Sequence, residues 1–243
     1  MPAGEGEYSA AMAKRAALIV FARAPVAGQT KTRLIPALGP ERAAQLYRCF
    51  ALDTLESARR APADVIAAAA DPQHLDRLRA LIGQACPEAV LIGQRGADLG
   101  ERIANALHEA LGLGHPRAVV IGTDSPDLPP ERLAEALDLS AQRDLVLGPC
   151  FDGGYYLIAM QTVMPQLFRG IEWGSERVLA DTIRRAQEMD LSTALLEPWH
   201  DVDTPDDLRA LRTRLAARAE ANQPIACLQT WEYLSGLPEE VGP

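Results

Sequence analysis

The apolar residues of this chain are parcelled into short runs, and each run is followed by a stretch of helical periodicity. That alternation constrains the fold more than any other feature. The runs are AALIVFARA (residues 16–24), ADVIAAAAD (63–71), EAVLIGQ (88–94), RAVVIGTDSP (117–126) and STALLEPW (192–199). Their length and their Val, Ile and Leu content suit buried strands, although the alanines of 63–71 would also fit a helix. Between them, GPERAAQLYRCFALDTLESARR, PQHLDRLRALIG, DLGERIANALHEALGLG, PPERLAEALDLS and SERVLADTIRRAQEMD carry apolar residues at helical spacing. A last helix is predicted in TPDDLRALRTRLAARAE, with Thr204 as N-cap, Pro205 at its first position and acids in its first turn. Strands alternating with helices imply an α/β protein, a mostly parallel sheet with helices on both faces. Residues 144–160 break the pattern as strand, turn and strand, which predicts a small antiparallel insertion around Asp152-Gly153-Gly154.

Without a repeat, a low-complexity tract or a long linker, residues 15–220 read as one domain. Residues 1–14 read as a flexible leader, and residues 221–243 as a tail that packs on the body through Trp231, Tyr233 and Leu234. The formal net charge of −9 argues against a nucleic-acid-binding face. The four cysteines lie far apart with no CxxC pair, which argues against a disulfide framework or a zinc site. No apolar run approaches the roughly 20 residues that cross a bilayer, and the N-terminus lacks the order of a signal peptide. A cytoplasmic protein without a membrane span is the expectation.

Ligands of open α/β sheets gather at the carboxyl ends of the strands, and three polar clusters fall there. The first is FARAPVAGQTKTRL, after the first strand. Its lysine lacks the preceding glycine of a G-x-x-x-x-G-K-[ST] loop. Pro25 and Gly28 still allow a tight turn, and Lys31 and Arg33 offer cations suited to a diphosphate. The second is GTDSPDLPP. Asp124 stands at a strand end and suits a hard cation, Mg²⁺ or Mn²⁺. Asp127 suits either the same ion or a helix cap. The third is PWHDVDTPDDL, where His200, Asp201 and Asp203 could complete a metal shell or Asp203 and Thr204 could cap the next helix. FDGGYY adds Asp152 as a catalytic or acceptor-binding carboxylate, or as a hairpin turn. The chain shows no G-x-S-x-G for a nucleophilic serine, and no G-x-G-x-x-G after the first strand for a nicotinamide cofactor.

In order along residues 18–211, the segments APVAGQTKTRL, DLGERI, GTDSPDLP, DGGYYLI, IEW and DVDTPDDL resemble the motif set of the bacterial DUF2064 family. Its members are often labelled arsenosugar-biosynthesis-type glycosyltransferases, within the nucleotide-diphospho-sugar transferase superfamily. The resemblance implies a GT-A, Rossmann-like sheet. It places Ala24, Gly28, Lys31 and Arg33 on the diphosphate, and Asp98, Gly100 and Arg102 on the nucleotide or phosphate side. Asp124 matches the acidic position that holds a divalent cation, although the D-x-D of many glycosyltransferases reads T-D-S-P here. Asp203, with His200, would then supply the second side of the metal. Asp152 would act as base, and Gly153, Gly154, Tyr155 and Trp173 would face the acceptor. The function implied is a metal-dependent transfer of sugar from a nucleotide sugar to a small-molecule acceptor. Nucleotidyl transfer from a nucleoside triphosphate, with pyrophosphate release, is the alternative, and a non-catalytic nucleotide-binding module a second.

Overall fold

The structure, a computed structural model, describes residues 15–237. The leader expected over residues 1–14 and the end of the tail from residue 238 lie outside these residues. Seven strands form one sheet: β1 (Ala16–Ala22), β2 (Ala63–Ala69), β3 (Val90–Gly93), β4 (Ala118–Ile121), β5 (Leu145–Pro149), β6 (Tyr155–Met160) and β7 (Thr193–Leu195). Their order is β3-β2-β1-β4-β6-β5-β7. β6 pairs antiparallel with β4 and β5, and every other pairing is parallel. The α/β class read from the sequence is therefore the observed one. The predicted insertion is a tight turn that folds β6 back into the middle of the sheet.

Eight helices are present among the described residues. They are α1 (Ile35–Leu38), α2 (Pro40–Arg60), α3 (Leu75–Ala85), α4 (Leu99–Gly112), α5 (Pro130–Leu139), α6 (Val178–Glu188), α7 (Pro205–Glu220) and α8 (Leu228–Ser235). The two-residue repeat of β1 divides its side chains between two cores. Leu18 and Val20 pack with Leu55 of α2, Leu78 of α3 and Leu133 of α5. Ala17 and Ile19 pack with Ile103 and Leu107 of α4 and Ala186 of α6. The alanine-rich run over 63–71 is a strand because parallel ladders hold it on both sides, from β1 and from β3. Tertiary pairing outweighs the helical preference of alanine there.

α2 also serves a third cluster through its outer face. Leu46 and Phe50 pack with Leu208, Leu211 and Leu215 of α7 and Leu234 of α8. Each fully buried leucine contributes about 1.5–3 kcal/mol relative to exposure, so α7 and α8 are bound mainly by apolar contact with α2. α8 was not legible as a helix, because its cap comes from far away in sequence. The carboxylate of Asp53, on α2, accepts from the backbone N–H of Gln229 (3.0 Å) and Thr230 (2.8 Å) and from the Thr230 hydroxyl (2.6 Å).

β7 is shorter than the run 192–199 predicts. Leu196 and Trp199 still donate to Leu147 and Pro149 of β5, both at 2.9 Å. Pro198 has no N–H to give, and the regular ladder stops before it. No helix among the described residues is long and apolar enough to cross a membrane.

Candidate functional site

Because β6 runs backwards, the β5–β6 turn reaches the same sheet edge as the loops after β1, β4 and β7. The loop after β1 is closed by its own backbone. The N–H groups of Gln29 (3.0 Å) and Thr30 (3.2 Å) both donate to the Val26 carbonyl, as does the Thr30 hydroxyl (2.9 Å). Gly28 takes a positive φ of 79° there. These amides face inward and form no open anion nest. Ala24 is buried at the start of the loop.

Lys31 follows in the left-handed region at φ 47°, an uncommon conformation for a residue with a Cβ. Its ammonium lies 2.6 Å from Oδ1 of Asp124 and 2.9 Å from Oδ1 of Asp203, and donates to the Val202 carbonyl at 2.6 Å. The side chain is only 4% exposed. Burial opposes the charge, but the charges and hydrogen bonds of Asp124 and Asp203 outweigh it and raise the Lys31 pKa. Arg33 is placed differently: its side chain is 73% exposed, with its guanidinium 3.7 Å from Asp203.

Two further contacts fix these carboxylates. The N–H of Val202 donates to the Asp124 carbonyl at 2.9 Å and joins the two loops. Below them, the Tyr47 hydroxyl accepts from the Arg23 amide and from the Thr123 hydroxyl, both at 3.0 Å. It thereby ties the ends of β1 and β4 to α2. The D-x-D-T-P run divides its duties. Thr204 caps α7 in a reciprocal box with Asp207, which leaves Asp203 to Lys31 and Arg33. Asp127 does not cap α5. It accepts from the indole N–H of Trp199 (3.2 Å) and from Arg214 (2.9 Å), while Pro129 stands at the N-cap of α5.

A second acidic group lies beside the first. Ligand atoms of Cys150, Asp152 and Asp201 fall within 4.8 Å of one another. Burial, then the charges of Asp152 and Asp203, pushes the Asp201 carboxyl up to about 6. Burial followed by the surrounding carboxylates raises the Cys150 thiol strongly, so it stays protonated and is a poor ligand for a hard ion. Asp152 also accepts from the Gly154 N–H at 2.8 Å, which makes it the pivot of the β5–β6 turn. A Cβ at Gly153 (φ 90°) would collide with the Glu176 backbone. His200 is not part of the carboxylate group; its ring stacks on the exposed Phe151, centroids 4.5 Å apart.

Between the loop after β1 and the start of α4 opens a cleft of about 460 Å³. Arg23, Lys31, Arg33, Arg102, Asp124 and Asp203 line it, together with Tyr155. Of the other residues expected on the nucleotide side, Asp98 caps α4 by accepting from Glu101 N–H (2.8 Å). Gly100 is the point where Trp173 and Phe168 press onto that helix, and a Cβ there would overlap both. Arg102 donates to the Gly96 carbonyl at 3.2 Å. Trp173 packs edge-on to Tyr155, centroids 6.4 Å apart. Sequence reasoning left Arg23, Tyr47 and Cys150 aside and gave Asp201 no separate role. The i, i+2 spacing of Asp201 and Asp203 was the available signal for Asp201. Nothing local marked Tyr47, which acts through α2.

The sequence model of a family described as "Uncharacterized protein conserved in bacteria (DUF2064)" matches residues 51–175. No curated protein matches the chain. A crystal structure from Desulfovibrio desulfuricans G20, of a protein described as a candidate nucleotide-diphospho-sugar transferase, is similar at 32% identity and a TM-score of 0.84. The match spans 94% of this chain and 97% of that one. Two more distant structures share the fold. They are the inositol-1-phosphate CTP transferase of T. maritima (14% identity, TM-score 0.55, 87% of this chain and 98% of that one), and Rv0371c of Mycobacterium tuberculosis in complex with manganese (19%, 0.50, 82% and 98%). The fold is thus one used by nucleotide-dependent transferases.

Proposed function

Since the chain belongs to the DUF2064 family, we propose that it is a divalent-cation-dependent glycosyltransferase, which moves a sugar from a nucleotide-diphospho-sugar to a small-molecule acceptor. One observation carries this reading: Asp124 and Asp203 converge on a single cation at the wall of a cleft that also gathers Arg23, Arg33 and Arg102. The oxygens around the Lys31 ammonium mark a point where a hard ion fits, and Mg²⁺ or Mn²⁺ takes such donors. Asp124 and Asp203 would hold it. When bound, the ion would offset the charge that develops on a departing diphosphate.

The remaining work falls to side chains. Arg33 and Arg102 face the cleft with guanidinium forks that match phosphate oxygens. The carboxylate of Asp152 receives the proton of the acceptor hydroxyl as that oxygen attacks the anomeric carbon. The bond from this carbon to the diphosphate oxygen breaks, and the nucleoside diphosphate leaves. Tyr155, on the cleft wall, would face the acceptor, with Trp173, seated on α4 at Gly100, packed edge-on against it. The neighbouring carboxyls of Asp152 and Asp201 favour a hydroxyl acceptor, which has a proton to lose, over a phosphate acceptor, which is already ionised.

The deciding measurement is product analysis of the purified protein with Mn²⁺ and separate panels of nucleotide sugars and nucleoside triphosphates. The expected product is a nucleoside diphosphate formed together with a glycosylated acceptor. Pyrophosphate from a triphosphate, with no nucleotide sugar turned over, replaces this reading with nucleotidyl transfer.

A further inference from the structure

An ammonium group has three N–H donors, and Lys31 spends all of them on Asp124, Asp203 and the Val202 carbonyl. In this state it has nothing left to give a phosphate. The choice of residue is also informative. Of the 24 Lys and Arg residues in the chain, only Lys14 and Lys31 are lysines. A guanidinium is a flat fork and cannot bring three donors to one point, whereas an ammonium can. Position 31 thus holds a compact cation in a pocket of three oxygens, on a backbone at φ 47° that few side-chain-bearing residues adopt. The Phe50 ring lies beneath it, 5.5 Å from the nitrogen.

We propose that Lys31 is a built-in occupant of the cation site, and that a divalent ion exchanges with it. The inference rests on the metal reading of Asp124 and Asp203 given above. In the metal-free protein Lys31 neutralises the two carboxylates and holds the loops after β1 and β7 together. Arrival of the ion at the same oxygens turns the ammonium out into the cleft, where its three donors become free for the diphosphate. Site assembly is then ordered: the ion enters first, and the lysine becomes a phosphate ligand as a consequence. Lys31 is a positioning residue before the exchange and a substrate-binding residue after it.

The two-lysine composition makes this directly measurable on the wild-type protein. The rate of acetylation at Lys31 by N-hydroxysuccinimidyl acetate, read by peptide mass spectrometry as a ratio to Lys14, is compared without metal and at saturating Mg²⁺. Exchange by mutual exclusion is expected to raise the Lys31 ratio about tenfold or more. An unchanged or lower ratio while Mg²⁺ is bound means that Lys31 is a permanent counter-ion, and overturns the proposal. A second arm measures Mn²⁺ affinity by calorimetry. Lys31→Gln is expected to tighten it about tenfold by removing the competitor, and weaker binding than in the wild type contradicts exchange. Asp203→Asn separates the two levels of the argument. If wild type and Asp203→Asn bind Mn²⁺ equally, or neither binds it, the metal reading itself fails and exchange fails with it.

Discussion

At the scale of single residues, the site is organised by which partner each carboxylate already has. Five aspartates crowd one sheet edge, and their neighbours sort them. Asp124 and Asp203 face a cation. Asp152 and Asp201 face each other and a protonated thiol. Asp127 faces Arg214 and Trp199 and belongs to the body of the protein. Asp127→Ala should therefore leave Mn²⁺ affinity unchanged while lowering the urea midpoint. Stranding the Trp199 indole N–H and the Arg214 guanidinium costs about 1–3 kcal/mol. A loss of Mn²⁺ binding in a folded Asp127→Ala protein would return this residue to the site. The sequence favoured Asp124, at the strand end, as the ion ligand and left Asp127, in the same proline-rich loop, open between ion and helix cap. Their difference comes from α7 and from the segment after β7, whose approach no local pattern records.

At the scale of elements, the alternation of apolar runs and helical stretches placed six helices and five strands, and the Asp-Gly-Gly turn that breaks it placed β5 and β6. Two kinds of element escaped it. α1 is a single turn between Leu34 and Gly39, too short for periodicity to register. α8 depends on a carboxylate about 175 residues upstream in sequence for its cap. That carboxylate gives α8 a pH dependence. Burial, only partly offset by the hydrogen bonds from Thr230 and Gln229, pushes Asp53 up to about 6, from 3.8 for the free side chain. The folded protein then holds the Asp53 proton more tightly than the unfolded chain. The group's contribution to stability is complete below pH 3.8 and is lost as the pH rises through about 6. With roughly 1.4 kcal/mol per unit, the effect is on the order of 3 kcal/mol. Asp53→Asn should flatten the difference in urea midpoint between pH 5 and pH 7 relative to wild type. An unaltered difference would assign the slope to other groups, Asp201 first among them.

At the scale of the whole molecule, the sheet order brings together segments that are distant in sequence. β1 and β4 are neighbours, and β6 folds back between β4 and β5. The loops after β1, β4 and β7 and the β5–β6 turn therefore share one edge, although residues 31 and 203 are 172 positions apart. The general rule for α/β sheets predicted that edge, and the placement of the polar clusters on it followed. The pairing of Lys31 with two acids did not follow, since a cation in a glycine-containing loop reads as a phosphate ligand until the distances are known.

The same packing seals all four thiols: Cys49, Cys86, Cys150 and Cys227 are free and buried. Burial raises each of them, Cys49 and Cys86 to about 11, so the folded protein should resist alkylation until it opens. Cys86 and Cys150 lie in the core on one face of the sheet, and Cys227 in the cluster beneath α7 and α8. The order in which iodoacetamide reaches them under mild denaturant is thus a clock of partial opening. Cys227 ahead of Cys86 would show that the outer helical layer parts from α2 while the sheet stays closed. Simultaneous modification would show that the layers come apart as one unit.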